Sequence, residues 1–177
     1  MPNTADVRAK LRAAMPVAKK WAYLDHAAVA PLTQPASDAI AQWLSQATNE
    51  GDVVWPEWAR GVEKTRHTAA RLLGAKPSEI ALVPNTTAGI NLVAEGIDWR
   101  RGNNVVTLDD EFPSNLYPWL QQSDRGVETR LVPTEEGRVD LNRLEEACDE
   151  QTRVVSISWV GYRTGFRRDL AAIGAIA

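Results

Sequence analysis

The sequence predicts an α/β fold in which a mostly parallel sheet is flanked by helices and preceded by an N-terminal arm. From residue 79 onwards, short apolar runs alternate with stretches of helical periodicity. The runs are continuous and rich in β-branched residues, which is typical of strands covered on both faces. Alternation of strand and helix favours parallel pairing with right-handed crossovers. We expect residues 1–30 to form the arm and residues 31–177 to form part of one large domain.

Before residue 79, two helices and an N-terminal segment are predicted, with a break in the chain around Pro31 and Pro35. Residues 1–20 are interpreted as a helix or an arm. A second helix is predicted over 59–73, and Gly74 is placed to end it. Between them, apolar residues at i, i+3, i+4 and i+7 predict an amphipathic helix over 36–48, formed around Ile40, Trp43, Leu44 and Ala47.

Four strand–helix pairs are predicted after residue 79. Ligands of such sheets bind beyond the carboxyl ends of the strands, so we expect the loops at 84–87, 109–114 and 160–165 to lie on one edge. The pairs are strand 80–83 with helix 86–96, strand 105–108 with helix 114–122, strand 127–132 with helix 140–149, and strand 154–159 with a helix from Asp169.

The composition excludes several classes of protein. A hydrophobic fraction of 44% and a charged fraction of 24% are typical of globular proteins, and the net charge of −3 gives no reason to expect nucleic acid or an anionic membrane as partner. No membrane-span or signal-peptide pattern occurs, so we expect a cytoplasmic protein. The single cysteine, Cys148, excludes an internal disulfide framework. Acidic neighbours disfavour its thiolate, which indicates a structural cysteine rather than a sulfur carrier.

The segment 80–91 carries the most information about a ligand. It is predicted to form a strand, a tight turn and a helix start, with the hydroxyls of Thr86 and Thr87 beside unpaired backbone N–H groups. Such a helix N-terminus suits a phosphate. The glycine-rich signatures of nucleotide sites are missing. A phosphorylated ligand that is not obviously a nucleotide is therefore the first hypothesis, and a threonine-capped helix without a ligand is the alternative.

A second loop, at 109–119, follows the next predicted strand. Pro113 is suited to the first position of a helix, which places Phe112 at the strand end, facing the same crevice as Thr86 and Thr87. The ring could stack on an aromatic ligand or simply pack. The acids at 109–111 are predicted to form a solvated rim.

Two further groups of side chains are weaker candidates. Arg163, Arg167 and Arg168 either bind an anion or face solvent or a partner. No metal site is predicted, because His26, His67 and Cys148 lack motif spacing.

Four segments give the sequence a resemblance to a known family. They are YLDHAA at 23–28, VPNTTAGINLV at 83–93, EFPSNLYPW at 111–119 and SWVGYRTGFR at 158–167. In order and spacing they resemble the class V aminotransferases, which are pyridoxal-phosphate enzymes of the aspartate-aminotransferase fold. That group includes cysteine desulfurases, selenocysteine lyases, kynureninases and isopenicillin-epimerase-like proteins. The resemblance runs from about Tyr23 to the last residue.

The resemblance implies a pyridoxal 5′-phosphate cofactor, an amino-acid substrate and a homodimer. It places Thr86 and Thr87 at the cofactor phosphate, Phe112 on the pyridine ring and Asn115 along the pocket. Desulfurases usually carry histidine at the position of Phe112, whereas kynureninase-like members carry phenylalanine followed by proline, as here. The substrate side of the site is matched more weakly, by His26 and Ala27.

The resemblance also implies that parts of the catalytic machinery are missing. The family uses a Schiff-base lysine and an aspartate, both located after the segment that matches 169–177. Every lysine of this chain occurs at or before position 76. No catalytic residue is therefore assigned, and we expect a truncated N-terminal part of such an enzyme, inactive by itself. The alternatives are a non-catalytic remnant, a subunit completed by a partner chain, and a nucleotide-binding α/β module.

Overall fold

The computed structural model describes residues 4–177, and the chain divides into two compact units. The first unit ends at Ala81, and the second comprises Leu82–Ala177. Within the described residues, no helix is both long and apolar enough to cross a membrane.

The elements of the first unit, within the described residues, are helices. The helices expected over 36–48 and 59–73 are confirmed as α2 (Gln34–Asn49) and α3 (Trp55–Leu73), each starting before the predicted residue. Thr33 caps α2 by accepting a hydrogen bond from the Ala36 N–H, and Gly74 ends α3 in the left-handed conformation at φ 66°. The α-helices are α1 (Thr4–Ala13), α2 (Gln34–Asn49) and α3 (Trp55–Leu73), with 3₁₀ helices at Pro16–Lys19, Gly51–Val54 and Pro77–Glu79.

The predicted strand over 80–83 is wrong. Ile80 has extended dihedral angles, but no segment of residues 4–177 forms a ladder with 80–83. A strand needs a neighbour whose backbone groups complete its hydrogen bonds. Leu82 is 46% exposed and Val83 is 39% exposed, so the apolar run that suggested a buried strand is only partly covered.

The second unit contains a three-stranded parallel sheet in which the strand from Asn104 lies between the other two, which confirms the predicted fold class. The strands predicted from 105 and 127 are confirmed. The strand predicted over 154–159 lies closer to the N-terminus. Its pairing with the central strand ends where Thr107 meets Ser156. The strands are β1 (Asn104–Leu108), β2 (Glu128–Val132) and β5 (Thr152–Ser156).

Helices cover both faces of this sheet, and successive residues of β1 point to opposite faces. Val106 packs in a cluster with Leu144 of α6 (Leu141–Ala147) and Ile173 of α7 (Leu170–Ile176). Val105 packs in a second cluster with Ala94 of α4 (Thr86–Gly96) and with Trp119 of α5 (Tyr117–Leu120). The central strand β1 is therefore buried on both faces, as its continuous apolar run predicted, whereas β2 and β5 at the edges of the sheet are partly exposed.

Two elements of the second unit differ from the prediction. The helix expected over 114–122 is broken into a 3₁₀ helix (Pro113–Asn115), α5 and a second 3₁₀ helix (Gln121–Arg125), because Pro118 has no N–H to donate. An unpredicted hairpin joins β3 (Thr134–Glu135) to β4 (Arg138–Val139). Its two turn residues, Glu136 and Gly137, both have positive φ, as in a type I′ turn.

Candidate functional site

The N-terminus of α4 offers free hydrogen-bond donors. The Asn85 side chain caps this helix, accepting a hydrogen bond from the Ala88 N–H at 2.8 Å. The alternative of a threonine-capped helix is therefore wrong, and the hydroxyls of Thr86 and Thr87 are not used for capping. Both threonines are exposed, and within residues 4–177 no acceptor pairs with their N–H groups. Two N–H groups and two hydroxyls thus lie together at the positive end of an 11-residue helix.

Phe112 lies just beyond the carboxyl end of β1. Its side chain is 49% exposed, and Pro113 begins the 3₁₀ helix that follows, in the helix-opening role that the sequence predicted. This 3₁₀ helix packs against α4. The half-exposed ring therefore lies at the carboxyl edge of the sheet, and the 3₁₀ helix that follows it packs against the helix whose first turn carries the free donors.

The sequence analysis missed a partner of the Phe112 ring. Tyr162, in the loop after β5, contacts it edge to face, with ring centroids 5.1 Å apart and an interplanar angle of 81°. Such a contact favours one orientation of the ring. Aromatic residues in two edge loops were visible in the sequence, but nothing in their spacing indicated that they meet.

A buried ion cluster, formed by Asp110, Glu111 and Arg168, lies in the same loops. The Arg168 Nη2 donates to both carboxylate oxygens of Asp110, at 2.7 and 2.9 Å, and Nη1 lies 3.5 Å from Glu111 Oε1. The side chains of Arg168 and Glu111 are both 0% exposed. The predicted solvated rim is therefore wrong for Asp110 and Glu111, and Arg168 is not a solvent-facing arginine. Of the three acids, only Asp109 is exposed.

The cluster stays buried because each polar atom finds a partner. Arg168 Nε donates to Gly137 O at 3.3 Å, and Nη1 also donates to Ser158 O at 3.0 Å. Glu111 accepts hydrogen bonds from the Ser158 N–H at 2.7 Å and from the Ser158 hydroxyl at 2.5 Å. Buried charges need this degree of pairing.

Asn115 extends this hydrogen-bonded network. Its side chain is buried and donates to Glu111 Oε2 at 3.1 Å. Its Oδ1 accepts from the Ser156 hydroxyl at 2.6 Å and from Trp119 Nε1 at 3.3 Å. The structure thus shows both ends of the Asn115 amide engaged within the protein, next to the Phe112 loop.

The two candidates for the substrate side, His26 and Ala27, belong to the first unit. Both are exposed and lie in a turn. The His26 ring contacts the Tyr23 ring edge to face at 5.1 Å, and the Tyr23 hydroxyl donates to Val29 O at 2.7 Å. The four remaining candidates are all in the second unit.

The opposite edge of the sheet carries a different charged group. Side-chain hydrogen bonds lower the pKa of Asp149 to about 2, and the bond from Arg130 contributes more than the bond from Asn104. Burial raises the pKa of the Cys148 thiol, and the negative charge of Asp149 raises it further by a smaller amount. This agrees with the interpretation of Cys148 as a structural cysteine. Asn104 begins β1 whereas Phe112 follows its end, so this group is separate from the candidate site.

Comparison with known proteins identifies one family. The family model for aminotransferase class V matches residues 22–177. A probable cysteine desulfurase from Methanothermobacter thermautotrophicus is 34% identical over 99% of this chain and 44% of its own length. The uncharacterised aminotransferase YcbU from Bacillus subtilis is 30% identical over 82% of this chain and 39% of its own length. The chain thus spans less than half the length of these relatives.

Solved structures share the fold. A C-DES mutant with glycine covalently linked to its pyridoxal-phosphate cofactor matches with a TM-score of 0.85 and 22% identity, over 93% of this chain and 45% of its own. The apo cysteine desulfurase from Thermococcus onnurineus NA1 matches with a TM-score of 0.79 and 23% identity, over all of this chain and 45% of its own.

Proposed function

The chain belongs to the class V aminotransferase family, and on this premise we propose that it forms the N-terminal part of a pyridoxal-phosphate-dependent enzyme acting on an amino acid. Pyridoxal phosphate is the coenzyme of this family. Two observations support a coenzyme site here: the free donors at Thr86 and Thr87 in the first turn of α4, and the half-exposed Phe112 ring, which precedes a 3₁₀ helix that packs against α4.

The residues at this edge fit the coenzyme. The phosphate carries negative charge, and the first turn of α4 offers it two unpaired N–H groups and the positive end of the helix dipole. Phe112 offers a flat apolar surface for a heterocycle. When bound, the coenzyme supplies an electron sink for negative charge that develops on carbon atoms of the substrate.

We propose that activity requires residues outside these 177. No lysine occurs within residues 82–177, so the unit that contains the candidate site does not supply the lysine that family chemistry needs. The relatives are more than twice as long as the matched segment, which leaves room for that residue.

We propose that the reaction differs from that of a typical cysteine desulfurase. Phe112 occupies the position where the resemblance places histidine in desulfurases. A phenyl ring neither donates nor accepts a proton, so it can only stack, whereas histidine could also act as an acid or base.

Binding of pyridoxamine 5′-phosphate to the full chain tests the proposed site. This form of the coenzyme lacks the aldehyde that would react with the lysines of the first unit. We expect a 1:1 complex in isothermal titration calorimetry and at least roughly tenfold weaker binding of pyridoxamine, because the phosphate accepts charge-assisted hydrogen bonds. Equal affinity for the two ligands would contradict the proposal.

A pair of variants locates the phosphate. Thr86→Val with Thr87→Val removes both hydroxyls and keeps the helix, so binding should weaken roughly tenfold. Thr68→Val is the matched control, because that exposed threonine of α3 bonds only within its own helix: its hydroxyl donates to Lys64 O at 2.8 Å and accepts from Arg71 Nη2 at 3.4 Å. Equal effects of the two changes would place the phosphate elsewhere.

A further inference from the structure

Phe112 lies in a short segment that is fixed at both ends. Glu111 precedes it and is bound by Ser158 and Arg168. Asn115 follows it, and its N–H donates to Phe112 O at 2.8 Å while its side chain is bound by Ser156. The backbone that carries the ring is therefore tied to the end of β5 on both sides.

Arg168 fixes the loop that carries the second ring. Its backbone N–H donates to Trp159 O at 2.9 Å, and its guanidinium donates to Ser158 O at 3.0 Å. This backbone bond and the bond from the Gly161 N–H to Phe166 O at 3.0 Å flank an isolated antiparallel bridge between Val160 and Arg167. Tyr162, which contacts Phe112, lies inside the loop closed in this way.

The loop passes close to the guanidinium. A Cβ atom built on Gly161 would lie 3.3 Å from Arg168 Nη2 and 3.1 Å from Thr164 Oγ1. Glycine at 161 therefore permits the close approach that brings the arginine to Asp110 and Glu111. One buried cation thus joins the two loops that hold Phe112 and Tyr162.

We propose that Arg168 and Glu111 are positioning residues that hold Phe112 in the orientation needed to stack on the coenzyme. The stacking of Phe112 on a coenzyme rests on the proposed function. That Arg168 and Glu111 hold the ring in one orientation does not depend on any ligand. The competing explanation is a cluster that only stabilises the fold. If the cluster positions the ring, its loss should change the surroundings of Phe112 and weaken ligand binding only when Phe112 is present. If the cluster only stabilises the fold, neither effect should depend on Phe112.

The first test reads the ring without any ligand. The chain has two phenylalanines, Phe112 and Phe166, so incorporation of 4-fluorophenylalanine gives two ¹⁹F resonances, assigned with Phe112→Leu. In Glu111→Gln the Phe112 resonance should move towards the position of the free amino acid. In Arg125→Met, which breaks an exposed ion pair with Glu95, it should stay in place. An unmoved Phe112 resonance in a folded Glu111→Gln chain would overturn the proposal.

A milder variant covers the case in which Glu111→Gln fails to fold. Ser158→Ala removes one hydrogen-bond donor to Glu111 and leaves the charges of Glu111 and Arg168 in place. This variant should move the Phe112 resonance towards the position of the free amino acid, by less than Glu111→Gln does. No movement in this folded variant would count against the proposal in the same way.

The second test uses pyridoxamine 5′-phosphate in a double-mutant cycle. Glu111→Gln should weaken binding roughly 2- to 10-fold when Phe112 is present and should have no effect in Phe112→Leu, because coupled residues are not additive. An equal loss in both backgrounds would show that the cluster acts independently of the ring. If the unaltered chain does not bind this probe, the proposed function fails, and the ¹⁹F experiment still decides the positioning role.

Discussion

Replacing Arg168 by methionine tests the buried ion cluster most severely. The change removes one positive charge and keeps an unbranched side chain that replaces the aliphatic stem of the arginine. Asp110 and Glu111 then remain close together without a cation, and Glu111 has no exposed side-chain surface from which water could compensate. We expect a large decrease in the free energy of unfolding.

The structure sets the size of this decrease. Arg168 donates to four groups: Asp110, Glu111, Ser158 O and Gly137 O. Removing one partner of a buried ion pair costs about 3–5 kcal/mol, because a charge is left buried without compensation. Domains of this size are stable by about 5–15 kcal/mol, so the variant should fold but be clearly weakened.

Urea unfolding at pH 7, followed by tryptophan fluorescence, measures the change. Arg125→Met is the control, because the exposed pair with Glu95 should contribute no more than about 1 kcal/mol. If Arg168→Met fails to fold, Arg168→Lys retains the charge but loses the two-pronged contact with Asp110, and it should cost about 1.5–3 kcal/mol. A loss below about 1 kcal/mol in Arg168→Met would refute the reasoning.

Three further predictions concern the sheet and its amino edge. Leu144→Ala should lower the free energy of unfolding, measured in urea, by about 2–5 kcal/mol, since Leu144 is fully buried. Leu141→Ala in the same helix should lower it far less, because Leu141 is 39% exposed. The pKa of Asp149 is about 2 in the fold against 3.8 ordinarily, so its contribution is present above pH 3.8 and is lost as the pH falls towards 2; Asp149→Asn should flatten this acid dependence of the urea midpoint. Cys148, whose pKa is raised, should react with iodoacetamide more slowly at pH 7.5 than a free thiol does, and reaction at the rate of a free thiol would contradict its burial.

The elements that could be predicted are those whose signal is local. The continuous apolar runs predicted β1 and β2 with an error of about one residue, and for β1 the reason is burial on both faces, which leaves a direct mark on the sequence. Asp169 and Gly74 marked a helix start and a helix end, because capping depends on the residue itself. The parallel sheet followed from the order of these elements.

The errors arose where a distant partner decides the outcome. The run at 80–83 has the composition of a strand, but a ladder needs a second strand, which a local pattern does not contain. Asp110 and Glu111 were predicted to be solvated because acidic runs usually are. Arg168, far along the chain, makes their burial possible, and no local spacing relates the two positions.

The candidate site was predicted in part. The loop at 84–87 indicated a helix start with free donors, although the cap proved to be Asn85. The position of Phe112 at the strand end followed from Pro113. Its contact with Tyr162 and the engagement of Asn115 with Glu111 depend on how two loops meet, which only the folded chain shows.

Backbone amide chemical shifts test the central claim most directly. Pyridoxamine 5′-phosphate is added to the ¹⁵N-labelled full chain, and each N–H resonance is followed. If the first turn of α4 binds the phosphoryl group, the N–H resonances of Thr86 and Thr87 should shift most, and inorganic phosphate should shift the same two. Shifts concentrated instead at Arg163 and Arg167, with Thr86 and Thr87 unmoved, would contradict the account.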